Sequence, residues 1–90
     1  MIYDINYNSI FTSDIIKQNF LADCSSLYST QSVSCIYVRP GSVIVTYEGL
    51  PQDLDIVFNQ QIADGHLQVT DFPQMPSIRN FQTMKRIILK

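Results

Sequence analysis

The sequence predicts an α+β domain in which two helices cover one face of a four-stranded antiparallel sheet. The element order β-α-β-β-α-β is that of a ferredoxin-like sandwich. Alternating apolar and polar runs, typical of half-buried strands, are separated by two stretches whose apolar residues recur at helical spacing. The 90 residues are 46% hydrophobic and 16% charged, which suits one small globular domain rather than a disordered chain.

The first half of this order is a strand followed by a helix. Tyr3, Ile5 and Tyr7 alternate with polar residues, so a strand is predicted over residues 2–11. Thr12, Ser13 and Asp14 are residue types that favour the start of a helix. The helix is predicted over about residues 13–28, with this apolar stripe: Ile16, Phe20, Cys24 and Leu27.

The second half is a hairpin, a helix and a last strand. Strands are predicted to about residue 38 and over residues 42–48, joined by a Pro-Gly turn. Pro51 suits the first position of a second helix and Gly65 its end. The apolar stripe of that helix comprises Leu54, Val57, Phe58 and either Ile62 or Gln61. A fourth strand is predicted to start at Leu67 and Val69 and to be stopped by Pro73 and Pro76.

Charge divides the chain into an acidic body and a basic end. All eight acidic residues lie in residues 1–78, whereas the last twelve residues contain four basic ones: Arg79, Lys85, Arg86 and Lys90. A nucleic-acid-binding surface on the body is therefore not expected. We predict one domain over residues 1–76 and a basic C-terminal segment, residues 77–90, whose pattern fits either a helix or a strand.

The cysteines leave two alternatives open. Cys24 and Cys35 are either a disulfide pair or two free buried thiols. Together with His66 they lack any recognised zinc-ligand spacing, so neither a metal nor a cofactor is expected. No stretch of the sequence is long and apolar enough to insert into a membrane.

The hairpin carries the most informative motif of the chain. Its sequence is Arg39-Pro40-Gly41-Ser42-Val43-Ile44-Val45. This run resembles the strand-turn-strand signature of SEA domains, which are modules of membrane-tethered mucins, adhesion receptors and cell-surface proteases. In the self-cleaving members the turn reads Gly-Ser followed by three β-branched aliphatic residues, as it does in Gly41–Val45. The resemblance covers residues 1–72 in element order and is residue-specific over residues 39–45.

The resemblance implies a site and a location. Gly41–Ser42 is the expected cleavage bond, Ser42 is the expected nucleophile, and Val43, Ile44 and Val45 provide the strand that follows. Cleavage would be a single N-to-O acyl shift within the chain, so no turnover enzyme is expected. The resemblance further implies an extracellular or cell-surface location in a larger membrane-anchored protein, where the module serves as a mechanical link or spacer. Its partner would be another protein or its own cleaved fragment.

The alternative is an uncleaved ferredoxin-like domain that binds a protein partner and has no catalytic activity. Pro-Gly-Ser is also an ordinary turn tripeptide, and Val-Ile-Val is an ordinary strand. Fragmentation at Gly41–Ser42 that Ser42→Ala abolishes distinguishes the two functions.

Overall fold

The computed structural model describes residues 1–77 of the chain. Three helices and a small antiparallel sheet confirm the predicted α+β class. The basic segment lies outside the described residues except for Ser77. In chain order the elements are β1 (Ile2–Tyr3), α1 (Tyr7–Ile10), α2 (Asp14–Leu27), a 3₁₀ helix (Ser29–Gln31), β2 (Ser34–Arg39), β3 (Val43–Glu48), α3 (Pro51–Asp64), β4 (His66–Leu67) and β5 (Met75–Pro76).

The predicted four-stranded sheet is wrong. Within residues 1–77 the main sheet has three strands in the order β1-β3-β2, with both pairs antiparallel. The predicted fourth strand contributes only β4, which pairs with β5 in a separate two-stranded sheet. The reason lies in the connection, where Asp71 adopts a left-handed backbone conformation with φ of 67°. This allows the chain to turn back, so Met75 and Pro76 can reach β4.

Strand β5 joins the two sheets at β1. The Asp4 N–H donates to the Pro76 carbonyl oxygen at 2.7 Å, and an isolated antiparallel bridge pairs Tyr3 with Ser77. Within residues 1–77, the position beside β1 opposite β3 is therefore taken by the segment that contains Pro76 and Ser77.

The strand predicted over residues 2–11 is also wrong beyond Tyr3. The side-chain oxygen of Asn6 accepts a hydrogen bond from the Asn8 N–H at 3.0 Å and caps α1. The Ser9 hydroxyl donates to the Asn6 carbonyl oxygen at 2.8 Å. Such local side-chain bonds offer the backbone an alternative to strand pairing. The alternating pattern therefore ends in a short helix.

Both long helices begin and end close to the predicted positions. The Ser13 hydroxyl accepts from the Ile16 N–H at 3.3 Å, which caps α2. Pro51 occupies the first turn of α3, and Gly65 ends that helix with φ of 80°. Of the two residues left open for the apolar stripe of α3, Ile62 and Gln61, the buried one is Gln61, which is 1% exposed.

One hydrophobic cluster joins the inner face of the sheet to both long helices. The buried positions of β3 alternate, as expected for a strand with one covered face. Because the sheet residues and the residues of α2 and α3 belong to the same cluster, both helices pack on this face. Its fully enclosed members, each 0% exposed, are Tyr3, Phe20, Cys24, Val43 and Val57.

A buried polar cluster lies inside this core. It consists of Tyr3, Tyr28, Tyr47 and Gln61, each at most 6% exposed. The Tyr3 hydroxyl donates to the Gln61 side-chain carbonyl oxygen, and its own oxygen lies 2.6 Å from the Tyr47 hydroxyl. The Gln61 amide nitrogen donates to Tyr28 at 2.9 Å and to Tyr47 at 3.1 Å. We refer to these four residues as the Tyr–Gln cluster.

Candidate functional site

The candidate site is the turn between β2 and β3. Arg39 and Ile44 form the last β2–β3 pair before it. Gly41 has φ of 107° and Ser42 has φ of 51°, so two consecutive residues have positive φ angles. For a residue with a side chain, the left-handed region costs about 1–2 kcal/mol. The Ser42 backbone therefore stores conformational strain directly after the predicted cleavage bond.

Glycine is well suited to position 41. A Cβ atom built there would lie 3.3 Å from the Ile44 Cδ1 atom, closer than most Cβ contacts. Its φ of 107° is also a backbone conformation that residues with side chains rarely adopt. Both the backbone angle and the available space therefore favour glycine on the carbonyl side of the bond.

The sheet holds the strand that follows the bond. Val43 is fully buried and pairs with Tyr3 of β1. Ile44 pairs with Ile2 on one side and with Arg39 on the other. Gly41 and Ser42 themselves are exposed. The turn is therefore accessible to water, while its C-terminal arm is fixed between two neighbouring strands.

No base is placed at Ser42 by the described part of the chain. Within residues 1–77, no protein atom forms a hydrogen bond with the Ser42 hydroxyl. His66 lies in β4, where its Nδ1 atom is 3.1 Å from the Asp64 carbonyl oxygen. The described residues thus combine a free hydroxyl and a strained backbone without a catalytic triad.

The cysteines form a disulfide, which resolves the alternative left open by the sequence. Cys24 of α2 is bonded to Cys35 of β2, with a Cα–Cα distance of 5.9 Å. Next to it, the Ser25 hydroxyl accepts from the Cys35 N–H at 2.8 Å and donates to the Cys35 carbonyl oxygen at 3.3 Å. Sequence reasoning missed Ser25, whose role depends on the approach of α2 to β2. All three residues precede Gly41.

Sequence reasoning also missed the Tyr–Gln cluster. Three of its four contacts join a residue before Gly41–Ser42 to a residue after it: Tyr3 to Tyr47, Tyr3 to Gln61, and Gln61 to Tyr28. The available signals were inward-facing tyrosines on two strands and a glutamine on the apolar stripe of α3. Neither signal shows that the side chains meet.

A pocket on the described part of the surface lies near the first two helices. A pocket of about 430 Å³ near α1 and α2 carries two carboxylates, Asp23 and Asp71, and no basic side chain. Within residues 1–77, no group of three or more His, Cys, Asp or Glu side chains is arranged to hold a metal ion. In the same part of the chain, no helix has both the length and the apolar character needed to cross a bilayer.

The chain was compared with protein-family models, curated protein sequences and solved structures. No protein-family model, curated protein sequence or solved structure matches the chain.

Proposed function

We propose that this chain is a SEA-type extracellular module that cleaves itself once between Gly41 and Ser42. The two fragments, 1–41 and 42–90, then remain together without a covalent link. The observation that carries the proposal is the pair of consecutive positive φ angles at Gly41 and Ser42 in an exposed turn. The motif over residues 39–45 supports the same site independently, through its resemblance to SEA domains.

The proposed chemistry begins with the Ser42 hydroxyl. Its Oγ atom attacks the Gly41 carbonyl carbon, the carbon–nitrogen bond breaks, and the hydroxyl proton passes to the Ser42 nitrogen. An ester now joins the Gly41 carbonyl carbon to the Ser42 oxygen. Water then hydrolyses the ester, leaving a Gly41 carboxylate and a Ser42 residue with a free amine and its hydroxyl restored. No external oxidant or cofactor takes part.

Proximity and strain both favour this step. The attacked carbonyl directly precedes the nucleophile, and well-oriented intramolecular attack can contribute about 7–11 kcal/mol towards the barrier. If the about 1–2 kcal/mol of left-handed strain at Ser42 is relieved as the carbonyl becomes tetrahedral, it adds roughly a tenfold acceleration. Proximity is therefore the larger effect, and strain raises the rate at this particular bond.

The sheet order explains why the cut fragments would stay together. Strand β3 belongs to fragment 42–90, and both of its neighbours, β1 and β2, belong to fragment 1–41. The central strand of the main sheet is thus hydrogen-bonded to the other fragment along both edges. A load that pulls the fragments apart would have to remove β3 from between these strands, but would break no covalent bond.

The disulfide supports an extracellular location. Disulfides form and persist in oxidising compartments and are rare in the cytosol. Since Cys24 and Cys35 both lie in fragment 1–41, their bond stabilises that fragment without tethering it to the other. This arrangement suits a mechanical link or spacer whose two parts can separate.

The experiment compares three purified chains by intact mass under denaturing conditions. The unmodified chain should convert over time into two fragments, whereas Ser42→Ala should keep its full mass. Ser32→Ala is the matched control, because Ser32 is also exposed and left-handed, with φ of 57°, but follows Gln31 rather than glycine. Cleavage that persists in Ser42→Ala, or that Ser32→Ala abolishes, would contradict the proposal.

A second candidate function is an uncleaved protein-interaction module. It is favoured by the exposed apolar side chains of edge strand β2, where Tyr37 is 63% exposed and Ile36 is 36% exposed. In that case Tyr37→Ala weakens capture of the partner, and the unmodified chain keeps its full mass throughout the incubation.

A further inference from the structure

We infer that the Tyr–Gln cluster is the recognition element by which fragments 1–41 and 42–90 identify one another. Two phenol hydroxyls on fragment 1–41, those of Tyr3 and Tyr28, match one amide and one phenol on fragment 42–90, those of Gln61 and Tyr47. This inference rests on the proposed cleavage at Gly41–Ser42. It adds that the partner surface must present an amide and a hydroxyl at these two positions.

The hydrogen bonds of the cluster form a closed ring. The Tyr3 hydroxyl donates its proton to the Gln61 side-chain carbonyl oxygen. In the 2.6 Å contact between the Tyr3 and Tyr47 hydroxyl oxygens, the donor must therefore be Tyr47. Tyr47 in turn accepts from the Gln61 amide. Each of the three groups both donates and accepts within the ring, so one group cannot be replaced without leaving another unpaired.

Tyr28, the fourth member of the cluster, accepts the second amide proton of Gln61. Gln61 has two amide protons, and one goes to Tyr47 while the other goes to Tyr28. The Tyr28 side chain also packs edge to face against Tyr47, with 6.1 Å between the ring centroids. The second tyrosine of fragment 1–41 therefore recognises both residues of the other fragment.

Because the cluster is buried, its hydrogen bonds can distinguish the correct partner surface from a similar one. Tyr3, Tyr47 and Gln61 are at most 3% exposed, so water cannot replace a missing partner without opening the core. Leaving a buried polar group without its partner costs the full desolvation free energy of that group. Replacing both partners by apolar groups of the same shape can be nearly neutral. Apolar contacts alone would accept many similar surfaces, but a closed polar ring penalises any surface that lacks one of its groups.

A competition experiment tests the inference. The full chain is cut between Gly41 and Ser42, either by its own reaction or at a protease recognition sequence inserted there, and the fragments are separated in denaturant and remixed. Unmodified fragment 1–41 chooses between unmodified fragment 42–90 and the same fragment carrying Tyr47→Phe and Gln61→Leu. Native mass spectrometry counts the two complexes, and we expect at least a tenfold preference for the unmodified fragment.

The decisive comparison uses fragment 1–41 carrying Tyr3→Phe and Tyr28→Phe. Without its hydroxyls this fragment should lose the preference or reverse it. Tyr37→Phe, a substitution of an exposed tyrosine on β2, is the matched control and should leave the tenfold preference unchanged. An equal preference in both versions of fragment 1–41 would overturn the inference, because a merely stabilising role does not depend on the partner's hydroxyls.

Failure of the proposed self-cleavage can be distinguished from failure of the proposed recognition. If only the inserted protease site cuts the chain, the proposed self-cleavage fails while the competition still tests recognition. If the separated fragments do not refold, a double-mutant cycle of Tyr3→Phe and Gln61→Leu in the intact Ser42→Ala chain replaces the competition. Strong non-additivity in unfolding supports recognition through the ring, and additive effects contradict it.

Discussion

The hydroxyl oxygens of Tyr3 and Tyr47 lie 2.6 Å apart in the core, although 44 positions separate the two residues in the chain. The contact joins β1 to β3, and Gly41–Ser42 lies between them in the sequence. The bond proposed to break and the interactions that would hold the fragments together are therefore parts of one arrangement.

Replacing Gly41 with alanine should slow or abolish cleavage. The added Cβ would meet Ile44 Cδ1 at 3.3 Å, and alanine disfavours φ of 107°, so the turn should relax to another conformation. Intact mass of the denatured chain over time measures the effect. Gly65→Ala is the control, because Gly65 also has positive φ but lies at the end of α3 with nothing within 4 Å of an added Cβ. It should lower stability by about 1 kcal/mol and leave cleavage unchanged.

Gln61→Leu should destabilise the intact Ser42→Ala chain by roughly 3 kcal/mol, because three buried phenols lose a partner at once. Urea denaturation measures the free energy of unfolding. The matched control is Gln60→Leu, since Gln60 precedes Gln61 in α3 but is exposed. Equal effects of the two substitutions would show that the Tyr–Gln cluster contributes nothing to stability.

Reducing the Cys24–Cys35 bond should lower stability by about 3 kcal/mol, the chain-entropy value for a closed loop of this size. In the cut chain the bond should not prevent separation of the fragments. Mass spectrometry in denaturant without reductant should show fragment 1–41 two hydrogens lighter than its reduced form and detached from fragment 42–90. A fragment 1–41 that shows its fully reduced mass without reductant would contradict the disulfide assignment.

Stability should decrease at alkaline pH. Burial raises the pKa of the Tyr28 hydroxyl to about 12, and burial also raises the pKa of Tyr3 and of Tyr47. The unfolded chain releases these protons near pH 10, while the folded chain retains them, so the unfolded state binds fewer protons above pH 10. The contribution is fully present below pH 10 and is lost as pH rises through about 12. Denaturation midpoints of the Ser42→Ala chain and of its Tyr28→Phe version, measured from pH 8 to 12, should differ in slope above pH 10.

Local signals determined which parts of the fold could be predicted. The ends of α2 and α3 follow from Ser13, Pro51 and Gly65, whose effects operate within one turn of helix. The fourth strand could not be predicted in the same way, since the pairing of β4 depends on the reversal at Asp71 and on Met75 and Pro76. Strand patterns reveal which residues are extended, but not which segment lies beside them.

The candidate site shows the same division. The Gly41–Ser42 turn can be predicted from the sequence, because its residue types favour a turn between two β-branched runs. The Tyr–Gln cluster cannot be predicted from the sequence. Gln61 becomes a core residue only because three tyrosines from distant parts of the chain converge on it: Tyr3, Tyr28 and Tyr47. The cluster is therefore a product of tertiary packing, and no local pattern marks it.

The most direct test of the central claim is the mass of the denatured chain after incubation with and without hydroxylamine. Hydroxylamine attacks esters, so it should capture the intermediate and convert the Gly41 carboxyl end of the first fragment into a hydroxamate. Self-cleavage through Ser42 predicts two fragments, one ending at Gly41 and one beginning at Ser42, with the hydroxamate formed only in the treated sample. A single species of 10.3 kDa in both samples would contradict it.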